Sequence, residues 1–174
     1  LSSDGSTLVF ALRGELWTMP AAGGSGTRLT STPAEEQWPR WSPDGTRIAF
    51  SAERAGNSDI YVMELPGRKV TQVTKHPAGD FFQSWSPDGA KLVFSSERSG
   101  NRDLWTIELA TGKEVQLTDN PAADDDPVYS PDGRFIAFVL LQSEKFWDDF
   151  AARLGRPELV EDERFASVEG RAQH

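Results

Sequence analysis

WSPDGAKLVFSSERSGNRDLWTIELATGKEVQLT, residues 85–118, decides how the chain is read, because most of the chain is that stretch again. Its opening tetrad occurs as SSDG at 2–5 and as SPDG at 42–45, 86–89 and 130–133, at spacings of 40, 44 and 44 residues. Set on the tetrads, the columns agree. The preceding residue is Leu1, Trp41, Trp85 or Tyr129. An apolar triplet follows the Gly: Leu8-Val9-Phe10, Ile48-Ala49-Phe50, Leu92-Val93-Phe94 and Ile136-Ala137-Phe138. A second run begins at Leu16, Ile60 and Leu104. Each copy then reaches Leu29-Thr30, Val73-Thr74 or Leu117-Thr118, with Pro33, Pro77 and Pro121 in one column. A period of this length is the mark of a repeat architecture.

The two spacings have one cause. The second run lies 13 residues before the Leu/Val-Thr pair in all three copies, and the Thr lies 12 before the next tetrad. Only the step from Phe to the second run varies, from 6 residues in the first copy to 10 in the others. The extra residues fall in ERAGNSD (53–59) and ERSGNRD (97–103), where a loop tolerates added length because closure entropy grows slowly. Short apolar runs bounded by Gly, Pro, Asp and Asn predict antiparallel strands joined by turns. Four strands in about 40–45 residues make one blade of a β-propeller. Asp-Gly in each tetrad suits a tight turn that needs positive φ. Pro fixes φ at its entry, and the leading Ser can bond a neighbouring backbone amide.

Composition narrows function. The 174 residues carry 37% hydrophobic and 10% aromatic side chains, enough for a folded core. A net charge of −9 argues against nucleic acid and anionic membrane surfaces, which reward basic patches. No run approaches the roughly 20 apolar residues of a membrane span. The absence of cysteine removes disulfides, thiolate chemistry and cysteine-held metals. The chain opens in mid-repeat at Leu1, so it is expected to be a piece of a longer protein.

The pattern WSPDG-x-x-I/L-A/V-F-S, then ER-x-GN-x-D-I/L-Y/W, then Leu-Thr before the next tetrad, resembles the WD-like propeller repeat of TolB. Tricorn-type and prolyl-oligopeptidase-type peptidases carry the same repeat, and GELWTMPAAGGSGTRLT at 14–30 is more similar to the tricorn kind. The resemblance implies a propeller and, for a TolB-like parent, protein partners in the periplasm. For a tricorn-like parent it implies a cytoplasmic accessory domain that docks or gates peptides.

The repeat fails after Phe138. The next apolar run should fall at Glu144 or Asp148, and neither fits. Phe146, Trp147, Phe150 and Leu154 instead follow a helical period, with Ser143 as N-cap and Gly155 as stop. EKFWDDFAARLGRPELVEDERFASVEGRAQH, 144–174, resembles a segment of family III (CaiB/BaiF) CoA-transferases, without the segment that bears their catalytic Asp. A composite chain is the weakest of the readings.

Little chemistry stands out. His76 reads as a loop residue rather than a general base, and His174 is terminal. No G-x-S-x-G elbow, P-loop or dinucleotide fingerprint occurs. Asp124-Asp125-Asp126 lacks calcium-loop spacing and reads as a solvated loop. Arg54 with Asp59, and Arg98 with Asp103, recur at one spacing and read as loops held by Arg–Asp hydrogen bonds, ahead of a ligand-facing rim. Asp44, Asp88 and Asp132 read as turn residues. Trp38, Phe81 and Phe82 divide between core packing and an exposed aromatic patch.

The sequence therefore predicts an all-β partial propeller over 1–140, of about three four-stranded blades and the start of a fourth, then a helical tail over 141–174 foreign to the repeat. The expected function is a non-catalytic, TolB-like scaffold for a protein or peptide partner. The alternative is an accessory propeller of a tricorn-like or prolyl-oligopeptidase-like peptidase. No catalytic, cofactor or metal residue is assigned, and neither nucleic acid nor membrane insertion is expected.

Overall fold

The computed structural model describes residues 1–54, 56–119 and 121–140. The helix expected within 141–174 lies outside the described residues.

Strands β1 (Thr7–Leu12), β2 (Glu15–Pro20) and β3 (Thr27–Arg28) form one sheet in chain order. The next sheet is β4 (Glu35–Trp41), β5 (Arg47–Arg54), β6 (Asn57–Glu64) and β7 (Lys69–Gln72). A third holds β8 (Asp80–Trp85), β9 (Lys91–Ser96), β10 (Asp103–Glu108) and β11 (Glu114–Gln116). Last come β12 (Asp124–Tyr129) and β13 (Ile136–Leu140). The strands pair antiparallel throughout, as blades of a propeller. β4 lies against β8 and β8 against β12, so the first strands of successive blades meet at the hub, and β1 of the preceding blade also packs on β4.

The all-β partial propeller is thus the fold, but its frame is shifted. The tetrad marks the hairpin between a blade's first and second strands, not the start of a blade. The described strands therefore divide as three, four, four and two.

The tetrad turn is the same in all four copies. The amide of Gly5, Gly45, Gly89 or Gly133 donates to the carbonyl of its Ser at 2.8–2.9 Å, and each Gly has φ near +70°. Of the Asp-Gly pair only the Gly takes positive φ, and the Asp does not. Its Oδ1 instead accepts the Ser hydroxyl and the amide two residues on, as at Asp44 from Ser42 (2.5 Å) and Thr46 (3.1 Å). The Ser hydroxyl oxygen also accepts an amide five residues ahead, Arg47 on Ser42 and Lys91 on Ser86, both at 2.9 Å. Those hydrogen bonds hold the Asp44 carboxyl down to about 2, and they lower Asp88 and Asp132 as well.

The central strands are apolar without alternation because both faces of a blade are covered. Ile48, Phe50, Ala52, Tyr61 and Met63 pack with Leu16 toward the first blade. Ala49, Ile60 and Val62 pack with Trp85, Leu92, Phe94 and Ile107 toward the third. Phe50 and Phe94 are fully buried, where removing a ring costs about 3–5 kcal/mol.

A second repeated device joins the third and fourth strands. The hydroxyl oxygens of Thr30, Thr74 and Thr118 accept the amides of Leu16, Ile60 and Leu104 at 2.8–3.0 Å. Gln72 and Gln116 donate to Asp59 and Asp103 from the strand beside them. In the first blade Arg28 and Glu15 hold those columns and form an ion pair. The invariant 13-residue step is this latch.

The extra four residues of the later copies are used in two ways. In the second blade they lengthen the hairpin, with Glu53 opposite Ser58 and Arg54 opposite Asn57. In the third they form a loop between Ser96 and Asp103. The first blade closes directly through Arg13 and Gly14, both at positive φ, as a two-residue hairpin turn requires.

Candidate hub cleft

The first strands carry a shared irregularity. Register shifts fall between Gln37 and Arg40, Phe81 and Ser84, and Asp125 and Val128. Each is a bulge in which the first strand has one residue more than its partner. Trp38, Phe82 and Asp126 occupy the same bulge column, at φ of 48°, 54° and 48°. A bulky aromatic in the left-handed region costs on the order of 1–3 kcal/mol, and such positions cluster at binding sites.

The bulge brings three rings together. Trp38 stacks obliquely on Phe82 at 4.5 Å between centroids and meets Phe81 edge-on at 6.3 Å. Phe81 and Phe82 are 6.2 Å apart. All three are half-buried, so the residues divided between core and patch serve as both. Beside them lies a cleft of about 90 Å³. Trp38 and Phe81 form its apolar wall, Gln37, Ser51 and Ser58 supply neutral polar groups, and Glu35 and Glu53 its carboxylates. A drug-sized ligand needs ~300 Å³ or more, so the cleft suits a side chain of a larger partner.

Below the cleft the acidic column is structural. Glu36, Asp80 and Asp124 are fully buried in β4, β8 and β12. Glu36 accepts from Arg54 at 3.1 Å and from the Thr32 hydroxyl at 3.0 Å. Asp80 takes both oxygens' worth of bonds from Arg98, whose other nitrogen pairs with Glu114. Arg54 lies over the Tyr61 ring at 4.5 Å and Arg98 over Trp105 at 4.5 Å.

Two expectations are corrected here. Arg54 and Arg98 do not bond Asp59 and Asp103, because the hairpin turns them back toward the first strand of their own blade. Asp124-Asp125-Asp126 is not a solvated loop either. The triplet opens β12, with Asp124 and Asp125 buried and only Asp126 exposed. Asp125 pairs with Arg102 at 3.0 Å, yet burial still pushes its carboxyl up. Asp59 and Asp103 are raised for the same reason, burial, with the Asp80 charge adding to it at Asp59.

His76 sits in the loop before β8, exposed, its Nδ1 accepting the Ala78 amide at 3.1 Å. Its backbone carbonyl accepts from Asn57 at 3.0 Å, and Asn101 reaches Ala122 in the same manner. Asp44, Asp88 and Asp132 are turn residues, as read. Among the described residues, no group of three His, Cys, Asp or Glu converges so as to hold a metal. Gln37, Ser51, Glu53 and Ser58 were not singled out in the sequence. The one available signal was alternation, which places Ser51 and Glu53 on one face of β5.

Antiparallel blades in series, with bulged first strands at a common hub, define a β-propeller domain. The chain belongs to the family of the tricorn protease N-terminal β-propeller domain, whose sequence pattern matches residues 2–103. Residues 80–145 also match the TolB β-propeller domain. A protein assigned as TolB in Agrobacterium tumefaciens is 25% identical, with a TM-score of 0.76 over 83% of this chain and 53% of its own. TolB from Acinetobacter baumannii is also 25% identical, with a TM-score of 0.69 over 79% of this chain and 36% of its own. The chain thus spans about half of one and about a third of the other. A chain of the mitotic checkpoint complex shares the fold alone, at 18% identity and a TM-score of 0.61 over 79% of this chain and 41% of its own. No curated protein matches. Neither matching family is a CoA-transferase, so the likeness noted for 144–174 gains no support from them.

Proposed function

We propose that this propeller is a non-catalytic scaffold that docks a protein partner at the hub cleft. The observation that carries the reading is the ring cluster of Trp38, Phe81 and Phe82 on bulged, positive-φ first strands. Aromatic anchors in partly desolvated pockets carry most of the energy of protein interfaces. A TolB-like setting would place this role in the periplasm.

A second reading is favoured by the tricorn match over 2–103: an accessory propeller that docks or gates peptides beside a separate peptidase domain. It would work in the cytoplasm. The two differ in what binds. Both readings seat an extended segment in the cleft: a scaffold takes it from a folded protein partner, whereas a peptide-docking domain takes free peptides.

The test is retention of extended peptides and of folded partners on immobilised protein, with peptide integrity followed by mass spectrometry. Retention without cleavage is expected, lost on Trp38→Ala at unchanged circular dichroism. Cleavage of the peptides, or retention indifferent to Trp38→Ala, would overturn the proposal.

A further inference from the structure

The rim of the hub cleft carries an electrostatic conflict. Glu35 of β4 stands directly opposite Glu53 of β5 in the strand register, and both are exposed. Like charges directly opposite on a sheet destabilise it. Both carboxylates line the cleft walled by Trp38 and Phe81. Glu35 is held by the Gln37 amide, which donates at 2.8 Å.

The bases beside this pair are engaged elsewhere. Arg54 is bound to Glu36 and lies over Tyr61, and Arg98 is bound to Asp80 and Glu114. Among the described residues, no Lys, Arg or His lines the cleft. The rings favour the same occupant as the carboxylates, because an aromatic face attracts a cation and an alkyl stem packs on it. The space, about 90 Å³, accepts a side chain rather than a whole ligand.

We infer that the docked partner is an extended segment bearing a Lys or Arg, whose cation sits between Glu35 and Glu53 with its stem on Trp38 and Phe81. This rests on the docking role proposed above and adds the charge of the partner. The unliganded protein keeps the Glu35–Glu53 repulsion, and the bound cation removes it.

The experiment uses three fluorescent nonapeptides of Gly, Ser and Leu, with a central Lys-Leu-Lys, Glu-Leu-Glu or Ser-Leu-Ser. The Lys peptide should bind at least about fivefold more tightly than the neutral one, and the Glu peptide more weakly than either. The advantage should shrink at about 0.5 M salt. Glu35→Gln with Glu53→Gln should abolish the advantage of the Lys peptide over the neutral one. Either single substitution should also raise the melting temperature of the free protein.

Equal affinity for the Lys and neutral peptides, with Trp38→Ala still weakening both, would overturn the charge inference and leave docking intact. No binding of any peptide to about 1 mM, or binding indifferent to Trp38→Ala, would overturn both.

Discussion

The indole Nε1–H of Trp85 donates to the carbonyl of Arg40, 3.1 Å away and one blade back. Trp41 holds the same column one blade earlier, yet its buried Nε1 has no acceptor among the described residues. One residue type in one column thus stands in two different hydrogen-bonding states among the described residues.

That contrast is measurable. Trp85→Phe removes a satisfied hydrogen bond, worth about 0.5–1.5 kcal/mol, and disturbs the Arg47 guanidinium lying 4.7 Å over the ring. Trp41→Phe removes a buried donor that had no partner, which relieves a desolvation penalty. Urea midpoints should fall for Trp85→Phe and change less for Trp41→Phe. Equal losses would mean that the inter-blade hydrogen bond contributes nothing.

The tetrad glycines make a similar pair. Gly5 and Gly89 share φ near +70°, so Ala at either meets left-handed strain of roughly 1–2 kcal/mol. A Cβ at Gly5 meets open space. At Gly89 it meets the Arg47 guanidinium at 3.2 Å, the group that donates to the Gly89 carbonyl at 3.0 Å. Gly89→Ala should therefore cost about 1 kcal/mol more than Gly5→Ala in chemical denaturation.

Acid should weaken the propeller through its turns. Asp4 and Asp44 are lowered to about 2, and Asp88 and Asp132 are lowered too, each first by the Ser hydroxyl. A depressed carboxyl stabilises the fold above its unfolded value of about 3.9 and loses that contribution as pH falls through the folded value. Stability should thus drop between about pH 4 and pH 2, and Asp44→Asn should flatten that limb. Asp59, Asp103 and Asp125 act with the opposite sign, because burial raises them. Their contribution is full below about pH 3.8 and is lost as pH rises through their folded values. Asp103→Asn should therefore flatten the dependence above pH 4, as read by urea titrations at stepped pH.

The hairpins were legible in the sequence because tetrad, triplet and second run are all local. The first strands were not. EEQWPRW, DFFQSW and DDDPVY each contain a bulge that breaks the two-residue period, and two contain Pro. Asp124 looked solvated because its environment is built from strands distant in sequence. The partners of Arg54 and Arg98 were misread for a related reason. Arg54 reaches Glu36 and Arg98 reaches Asp80 across the hairpin, 18 residues back. No spacing within the ER-x-GN-x-D segment encodes that contact. Glu35 and Glu53 became a pair only once the register set them opposite each other.

Gly79 offers a way to move one wall of the cleft without deleting a ring. It lies one residue before β8, with a φ that any residue can adopt, and its carbonyl accepts the Glu97 amide at 3.0 Å. A methyl group there would overlap the Phe81 ring, and only the ring is free to give way. Gly79→Ala should therefore swing Phe81 off its edge-on contact with Trp38 while leaving the backbone pairing in place. The global cost should be modest, about 1 kcal/mol or less, because a half-buried ring finds another rotamer. Trp38 emission should shift, and partner affinity at the cleft should drop. Trp38→Ala should lower affinity further, since it removes the ring that touches both phenylalanines. Unchanged emission and unchanged affinity in Gly79→Ala would show that Phe81 does not wall the cleft.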